Sequence, residues 1–417
     1  MIIYHLLQIF VTWLIIANLV GILVKKLRMP YTVGLVVAGM LLAIIGPYLR
    51  SQAQVISPED IRTLLIPNLI LALFVPPLVF EAAFHIKLKE LRSELGKILA
   101  FAIPGVILTM LLVGTALAWI PELSWPAALV FGALISATDP VAVVALFRSL
   151  GAPKRLVLLL EGESLFNDGT AIVLFHMMLA IAATGEVHLI KSLFDFFRVA
   201  LGGLLIGWGA GTLAAFLISR VKDDFIQISF SLIAAYGAYL VSEHFHLSGV
   251  LAVVAAGLIC GNASSTALAE DTRKRLLEFW DYAAFLANTF VFLIIGLVID
   301  FRAILDNLGY SLLAIAAVLI SRAIVIYGLS RLAKGIPLNF QHILNWGGLR
   351  GAVSLALALS LTHEEVGSSL GLLQAMAFSI VLFTLLVQGT SMASLLKRCN
   401  LIQPTTGTEA PPTEAPT

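Results

Sequence analysis

Several charged side chains stand inside long apolar stretches, where an isolated charge is costly. They are Glu81, Asp139, Glu163, Asp168 and Arg350. An Asp or Arg at the centre of a membrane helix costs about 2.5–3.5 kcal/mol on insertion scales. Each therefore needs a partner or a task. The densest group is Glu161-Gly162-Glu163-Ser164-Leu165-Phe166-Asn167-Asp168-Gly169-Thr170. On a helix, Ser164 and Asp168 share a face at i, i+4, and Glu163 and Asn167 share a neighbouring face. One face offers a hydroxyl and a carboxylate to a ligand. The other offers a carboxylate and an amide to a partner. A sequestered carboxylate such as Asp168, able to hold either a proton or a cation, has the chemistry of an exchanger. Glu161 is nearer the end of the segment and reads as a mouth or interface group.

Asp139 lies in Ser136-Ala137-Thr138-Asp139-Pro140. Pro140 has no N–H and clashes with the preceding turn, so backbone carbonyls are freed there. Such carbonyls are tolerated at membrane depth only where they line a cavity or find partners. A broken helix offering Thr138, Asp139 and loose carbonyls suits a cation. Asp139 also suits the cap of the second half-helix, and the two roles can coexist. Glu81 is either a third ligand carboxylate or an interfacial charge. Arg350 lies in Trp346-Gly347-Gly348-Leu349-Arg350-Gly351-Ala352, whose glycines weaken a helix and predict a second break. A buried Arg must pair, and Glu163 is the expected partner. Arg322 is a further intramembrane cation for which the sequence names no partner.

The elements that position these groups are helices in a bilayer. The 417 residues are 59% hydrophobic and 12% charged, against about 25% charged in a soluble domain. Thirteen segments reach membrane length or nearly so: 2–24, 30–49, 64–84, 97–120, 125–147, 156–184, 192–219, 224–243, 247–262, 279–299, 308–333, 340–362 and 368–396. Segment 247–262 is short, and 192–219 allows irregularity. Pro76-Pro77, Pro104 and Pro140 mark kinks or breaks. The reading is an all-α polytopic membrane protein with about 13 transmembrane helices.

Loop charges set the orientation. Basic residues concentrate after odd-numbered segments, among them Lys25, Lys26, Lys87, Lys89, Arg92, Arg148, Lys154, Arg155, Arg273, Lys274 and Arg275. The other side holds Arg50, Arg62, Lys191, Arg198 and Arg302. The positive-inside rule puts the N-terminus outside and the C-terminus in the cytoplasm of a multi-pass plasma (inner) membrane protein. Residues 1–402 read as one transmembrane domain and 403–417 as a disordered tail. Segments 1–6 and 8–13, residues 1–184 and 224–396, would form inverted repeats, each interrupted in its fifth helix.

At this point the residues resemble a family. Thr138-Asp139-Pro140, then Gly162-Glu163-Ser164-Leu165-Phe166-Asn167-Asp168, then Gly347-Gly348-Leu349-Arg350-Gly351 are similar to the signatures of the NhaP/NHE-type monovalent cation:proton antiporters. The resemblance implies an NhaA-like fold with inverted repeats, two crossed unwound helices, a core domain and a dimerisation domain, hence a homodimer. It implies Asp168 as the carrier of Na+ or H+. Asp139, Ser164, the Thr138 carbonyl and Glu81 would complete the cation shell. Asn167 would hold the unwound helices in register, and Glu163 would pair with Arg350. The Asn167–Asp168 pair is the family's electroneutral pattern, one cation for one proton by alternating access.

Other classes fit less well. Hard oxygen ligands suit Na+, Li+ and K+ alike, so K+/H+ exchange is the alternative within transport. A channel presents rings or filters from repeated subunits, whereas this chain carries one asymmetric carboxylate cluster. The eight histidines show no His/Glu metal spacing and no nucleophile–base pair, so no enzyme and no cofactor is implied. Cys260 and Cys399 form no disulfide framework. A net charge of +1 with no basic patch implies no nucleic acid.

Overall fold

The interruptions expected from Pro140 and from the glycines around Arg350 organise the molecule. The structure, a computed structural model, describes residues 2–27, 31–49, 67–185, 189–267 and 270–402. The tail expected at 403–417 and the positions of Arg28, Arg50 and Arg62 lie outside these. Helices run in the order α1 (Ile2–Leu27), α2 (Tyr31–Leu49), α3 (Pro67–His85), α4 (Leu88–Ala102) and α5 (Pro104–Leu117). Next come α6 (Trp125–Leu134), α7 (Val141–Ser149), α8 (Lys154–Thr184), α9 (Leu189–Arg220), α10 (Asp224–His244), α11 (Gly249–Ala267) and α12 (Glu270–Val298). The chain continues through α13 (Phe301–Asp306), α14 (Leu308–Ala333), α15 (Leu338–Trp346), α16 (Ala352–Ser360), α17 (His363–Val366), α18 (Leu370–Phe383) and α19 (Thr390–Arg398).

Each predicted segment overlaps one helix or a pair of consecutive helices. Seven helical stretches among the described residues are long and apolar enough to cross a bilayer, and shorter apolar helices accompany them. Large apolar side chains such as Ile15, Leu19, Leu205, Leu213, Ile320 and Ile324 point outward. Those faces suit lipid, and the chain is a multi-pass membrane protein.

The prolines act unequally. Pro140 ends a real gap between α6 and α7, and Pro104 opens α5 directly after α4. Helix α3 runs unbroken through Pro76 and Pro77. Segment 192–219 forms a continuous helix rather than an irregular one. Its glycines serve packing instead: a Cβ at Gly207 would strike the Ala252 backbone of α11. Small residues let two backbones approach this closely.

Two packed groups result. Helices α1–α3 gather with α9–α12, and α4–α8 gather with α14, α16 and α18. The groups meet where α16 touches α3 and where α8 touches α9 and α11. The cavity described below lies along that junction.

Candidate cation site at the crossing of two broken helices

Helix α6 begins on Ser124, whose Oγ accepts the Ala127 N–H at 3.3 Å. It ends at Leu134, leaving Ile135–Pro140 outside any regular helix. Helix α15 stops at Trp346, and residues 347–351 separate it from α16. The two gaps cross. The Asp139 N–H donates to the Leu349 carbonyl at 2.8 Å. The Arg350 guanidinium donates through Nη1 to the carbonyls of Ser136, at 2.7 Å, and Ala137, at 3.0 Å. The Ser354 hydroxyl adds a bond to Ala137 at 3.3 Å. Carbonyls freed by one break are thus satisfied by donors from the other, as a low-dielectric setting demands.

Asp139 stands at the start of both continuing half-helices. Its carboxylate accepts the N–H of Val141 at 3.0 Å and faces that of Ala352. These are the first residues of α7 and α16. The positive ends of two helix dipoles therefore converge on one carboxylate. Gly351 allows the approach, because a Cβ there would run into the Asp139 carboxylate.

Helix α8 supplies the rest. Asn167 donates from Nδ2 to Thr138 Oγ1 at 2.6 Å and accepts the Thr138 N–H at 3.4 Å. The Ser164 hydroxyl donates to the Thr138 carbonyl. Asp168 and Arg350 act on each other electrostatically, and Asp139 adds to the field at Asp168. Thr138, Glu163, Ser164, Asn167 and Arg350 are all at most 5% exposed. Asp139 and Asp168 are only half-buried and line a cavity of about 560 Å³. Thr138 and Ser164 line it too. The arrangement is a buried polar frame that presents two carboxylates to the cavity.

One sequence expectation needs correction. Glu163 does not hydrogen-bond Arg350. Its Oε1 accepts from Nη1 of Arg322 on α14, and Arg322 Nη2 also holds the Leu344 carbonyl of α15 at 3.0 Å. Arg350 feels Glu163 only through space. Nη1 of Arg350 turns instead to the freed carbonyls of Ser136 and Ala137, and Arg322 is the guanidinium that lies against Glu163. Those carbonyls were the signal in the sequence, since a proline break creates acceptors as well as a kink. The sequence also gave no sign of Thr384, whose Oγ1 accepts the Arg350 N–H at 3.1 Å. Thr384 opens a π-helical turn, Thr384–Gly389, between α18 and α19. Such turns often mark functional sites.

Glu81 stands on the same cavity but near its mouth, with exposed Arg148 and Asp281. It contacts His85 at 3.2 Å, and His85 contacts Asp281 at 3.3 Å. Glu161 also lies at the mouth and accepts from Arg148 at 2.6 Å. The mouth lies on the side of the basic residue Arg148, which lines it.

Comparison with known proteins places the chain among its relatives. Residues 14–398 match the family model described as sodium/hydrogen exchanger, transmembrane. The chain is 42% identical over 386 residues to the Na(+)/H(+) antiporter ApNhaP of Aphanothece halophytica, covering 90% of this chain and 70% of that protein. It is 36% identical to the Na(+)/H(+) antiporter NhaG of Bacillus atrophaeus, over 97% of this chain and 77% of the relative. The fold is similar to that of the sodium proton antiporter MjNhaP1 from Methanocaldococcus jannaschii, with a TM-score of 0.78 at 20% identity, covering 93% of this chain and 100% of the other. On these grounds the chain belongs to the sodium/hydrogen exchanger transmembrane family.

Proposed function

We propose that this chain is a secondary active antiporter that exchanges one Na+ for one proton by alternating access. The observation that carries the reading is the pair of partly exposed carboxylates, Asp168 and Asp139, held on the wall of a cavity by an otherwise buried frame. Relatives named Na+/H+ antiporters support the choice of ion.

Asp168 is the exchanging group. Deprotonated, it binds Na+ together with the Asp139 carboxylate, the Ser164 hydroxyl and the Thr138 carbonyl, a hard oxygen set that suits an alkali cation. Protonated, it is neutral and returns without the cation. Two states of equal charge balance let the loaded and protonated forms cross the barrier alike. Asn167 contributes a neutral amide beside Asp168, which fits a 1:1 exchange. Glu81 and Glu161 draw cations into the mouth.

The group holding α4–α8 with α14–α18 moves against a scaffold of α1–α3 and α9–α12. Residues 1–184 and 224–396 are the inverted halves that make two such states equivalent. The protein works as a homodimer in the plasma membrane, N-terminus outside, so the cavity opens to the cytoplasm. Exchange assays in proteoliposomes test the reading. Na+ should drive proton movement that does not respond to a clamped membrane potential. Proton movement with K+ alone would reassign the ion, and none with any alkali cation would overturn antiport.

A further inference from the structure

The mouth of the cavity carries a cluster of ligating groups separate from the shell around Asp168. Glu81 and His85 stand at i, i+4 on α3 and project from one face. His85 Nδ1 is 3.2 Å from Glu81 Oε1, and its Nε2 is 3.3 Å from Asp281 Oδ1 on α12. One ligand atom from each of the three residues fits within a spread of 4.8 Å. Helices α3 and α12 pack directly on each other, so the three groups are held together by the fold. Glu81 and His85 keep about a fifth of their side-chain surface exposed and Asp281 more than half, so the cluster is open to solvent.

We propose that Glu81, His85 and Asp281 bind a zinc-type divalent transition cation, and that the bound ion inhibits exchange from the cavity mouth. Ligand atoms of a tetrahedral zinc site stand ~3.3 Å apart, from bond lengths of about 2.0–2.2 Å. An imidazole binds one ion through one nitrogen, and Nδ1 of His85 is held by the Glu81 carbonyl at 3.0 Å, so Nε2 is the ligand. Its 3.3 Å separation from Asp281 Oδ1 matches a zinc site, and a rotation of the flexible Glu81 side chain brings the third ligand round. One imidazole and two carboxylates make a mixed N/O set that favours zinc-type ions over Mg2+ and Ca2+, which take oxygen ligands in larger number. Three protein ligands leave a fourth position for water. The bound ion offsets the two carboxylate charges at the mouth, so a monovalent cation is attracted into the cavity less strongly.

The inhibition half of this inference rests on the antiport reading, and the binding half does not. The test therefore has two arms. In the first, Zn2+ is titrated calorimetrically into the purified protein, with Co2+ as a spectroscopic probe. The expected result is a saturable site whose affinity falls at least about tenfold in Asp281→Asn and in His85→Gln, each lacking one ligand of three. Co2+ should give tetrahedral absorption in the wild type and lose it in both variants. Equal affinity in all three proteins overturns the site and leaves His85 as an ion-pair bridge between two carboxylates. In the second arm, exchange in proteoliposomes is read as the ratio of rates with and without Zn2+ within each protein. The wild type should be inhibited, both variants should resist, and Mg2+ should have no effect. Binding without inhibition overturns the regulatory role. Absence of exchange in metal-free vesicles refutes antiport, while the titration still decides the site.

Discussion

The Glu163 carboxylate of α8 is paired with the Arg322 guanidinium of α14, and both groups are buried. This pair ties the helix that carries Asp168 to the helix behind it, and Arg322 reaches on to the Leu344 carbonyl near the second break. Removing one partner of a buried pair costs about 3–5 kcal/mol because the other is left uncompensated. Glu163→Gln should therefore lower thermal stability strongly in the wild type and much less in an Arg322→Gln background. In an Arg350→Gln background its cost should stay close to the wild-type value. Melting of the purified variants reads the three couplings, and a larger coupling to Arg350 than to Arg322 would contradict the assignment.

Arg350 acts through geometry more than charge. Its two bonds to the Ser136 and Ala137 carbonyls hold the unwound segments across each other. Each buried acceptor left unpaired costs about 1–3 kcal/mol. Arg350→Lys keeps the charge but puts it on a shorter side chain, whose ammonium does not sit where Nη1 meets both carbonyls. It should destabilise the protein and reduce exchange together, measured by melting and by proteoliposome flux. Wild-type behaviour of Arg350→Lys would show that charge alone suffices.

Gly351 is expected to tolerate no side chain. A methyl group there meets the Asp139 carboxylate, which stands at the start of both α7 and α16. Gly351→Ala should cut the exchange rate at least about tenfold, the equivalent of 1.4 kcal/mol. Gly328→Ala, on α14 with no atom near the added methyl, serves as the control. Equal rates in the two variants would remove the close approach from the account.

Much of this architecture was legible in the sequence because membrane helices announce themselves by length and apolar content. The break at Pro140 was visible for the same kind of local reason: proline removes a donor and a turn. Asp168, Ser164 and Asn167 could be sorted onto faces by helical spacing alone. Partner choice was not legible. Glu163 had two buried arginines within reach of the fold, and only the three-dimensional crossing shows that the Ser136 and Ala137 carbonyls claim Arg350. Pro76 and Pro77 misled for the opposite reason, since α3 absorbs both without interruption. His85 and Asp281 join across 196 positions, a separation on which local spacing has no bearing.

Ser164 should set cation affinity rather than competence. Its hydroxyl bonds the Thr138 carbonyl and, in the proposed shell, supplies one ligand oxygen. Ser164→Ala removes that oxygen and should raise the apparent KM for Na+ by about tenfold, or 1.4 kcal/mol. Maximal rate should change less than twofold, a margin of about 0.4 kcal/mol. Flux against Na+ concentration separates the two, and an unchanged KM would take Ser164 out of the shell.

The central claim is that Na+ and the proton compete for one carboxylate, Asp168. Proton release on adding Na+ to the purified, weakly buffered protein tests it most directly. The account predicts saturable release of about one proton per chain at a pH where Asp168 is protonated, and none from Asp168→Asn, because binding of a cation there requires loss of the proton. Undiminished proton release from Asp168→Asn would contradict it.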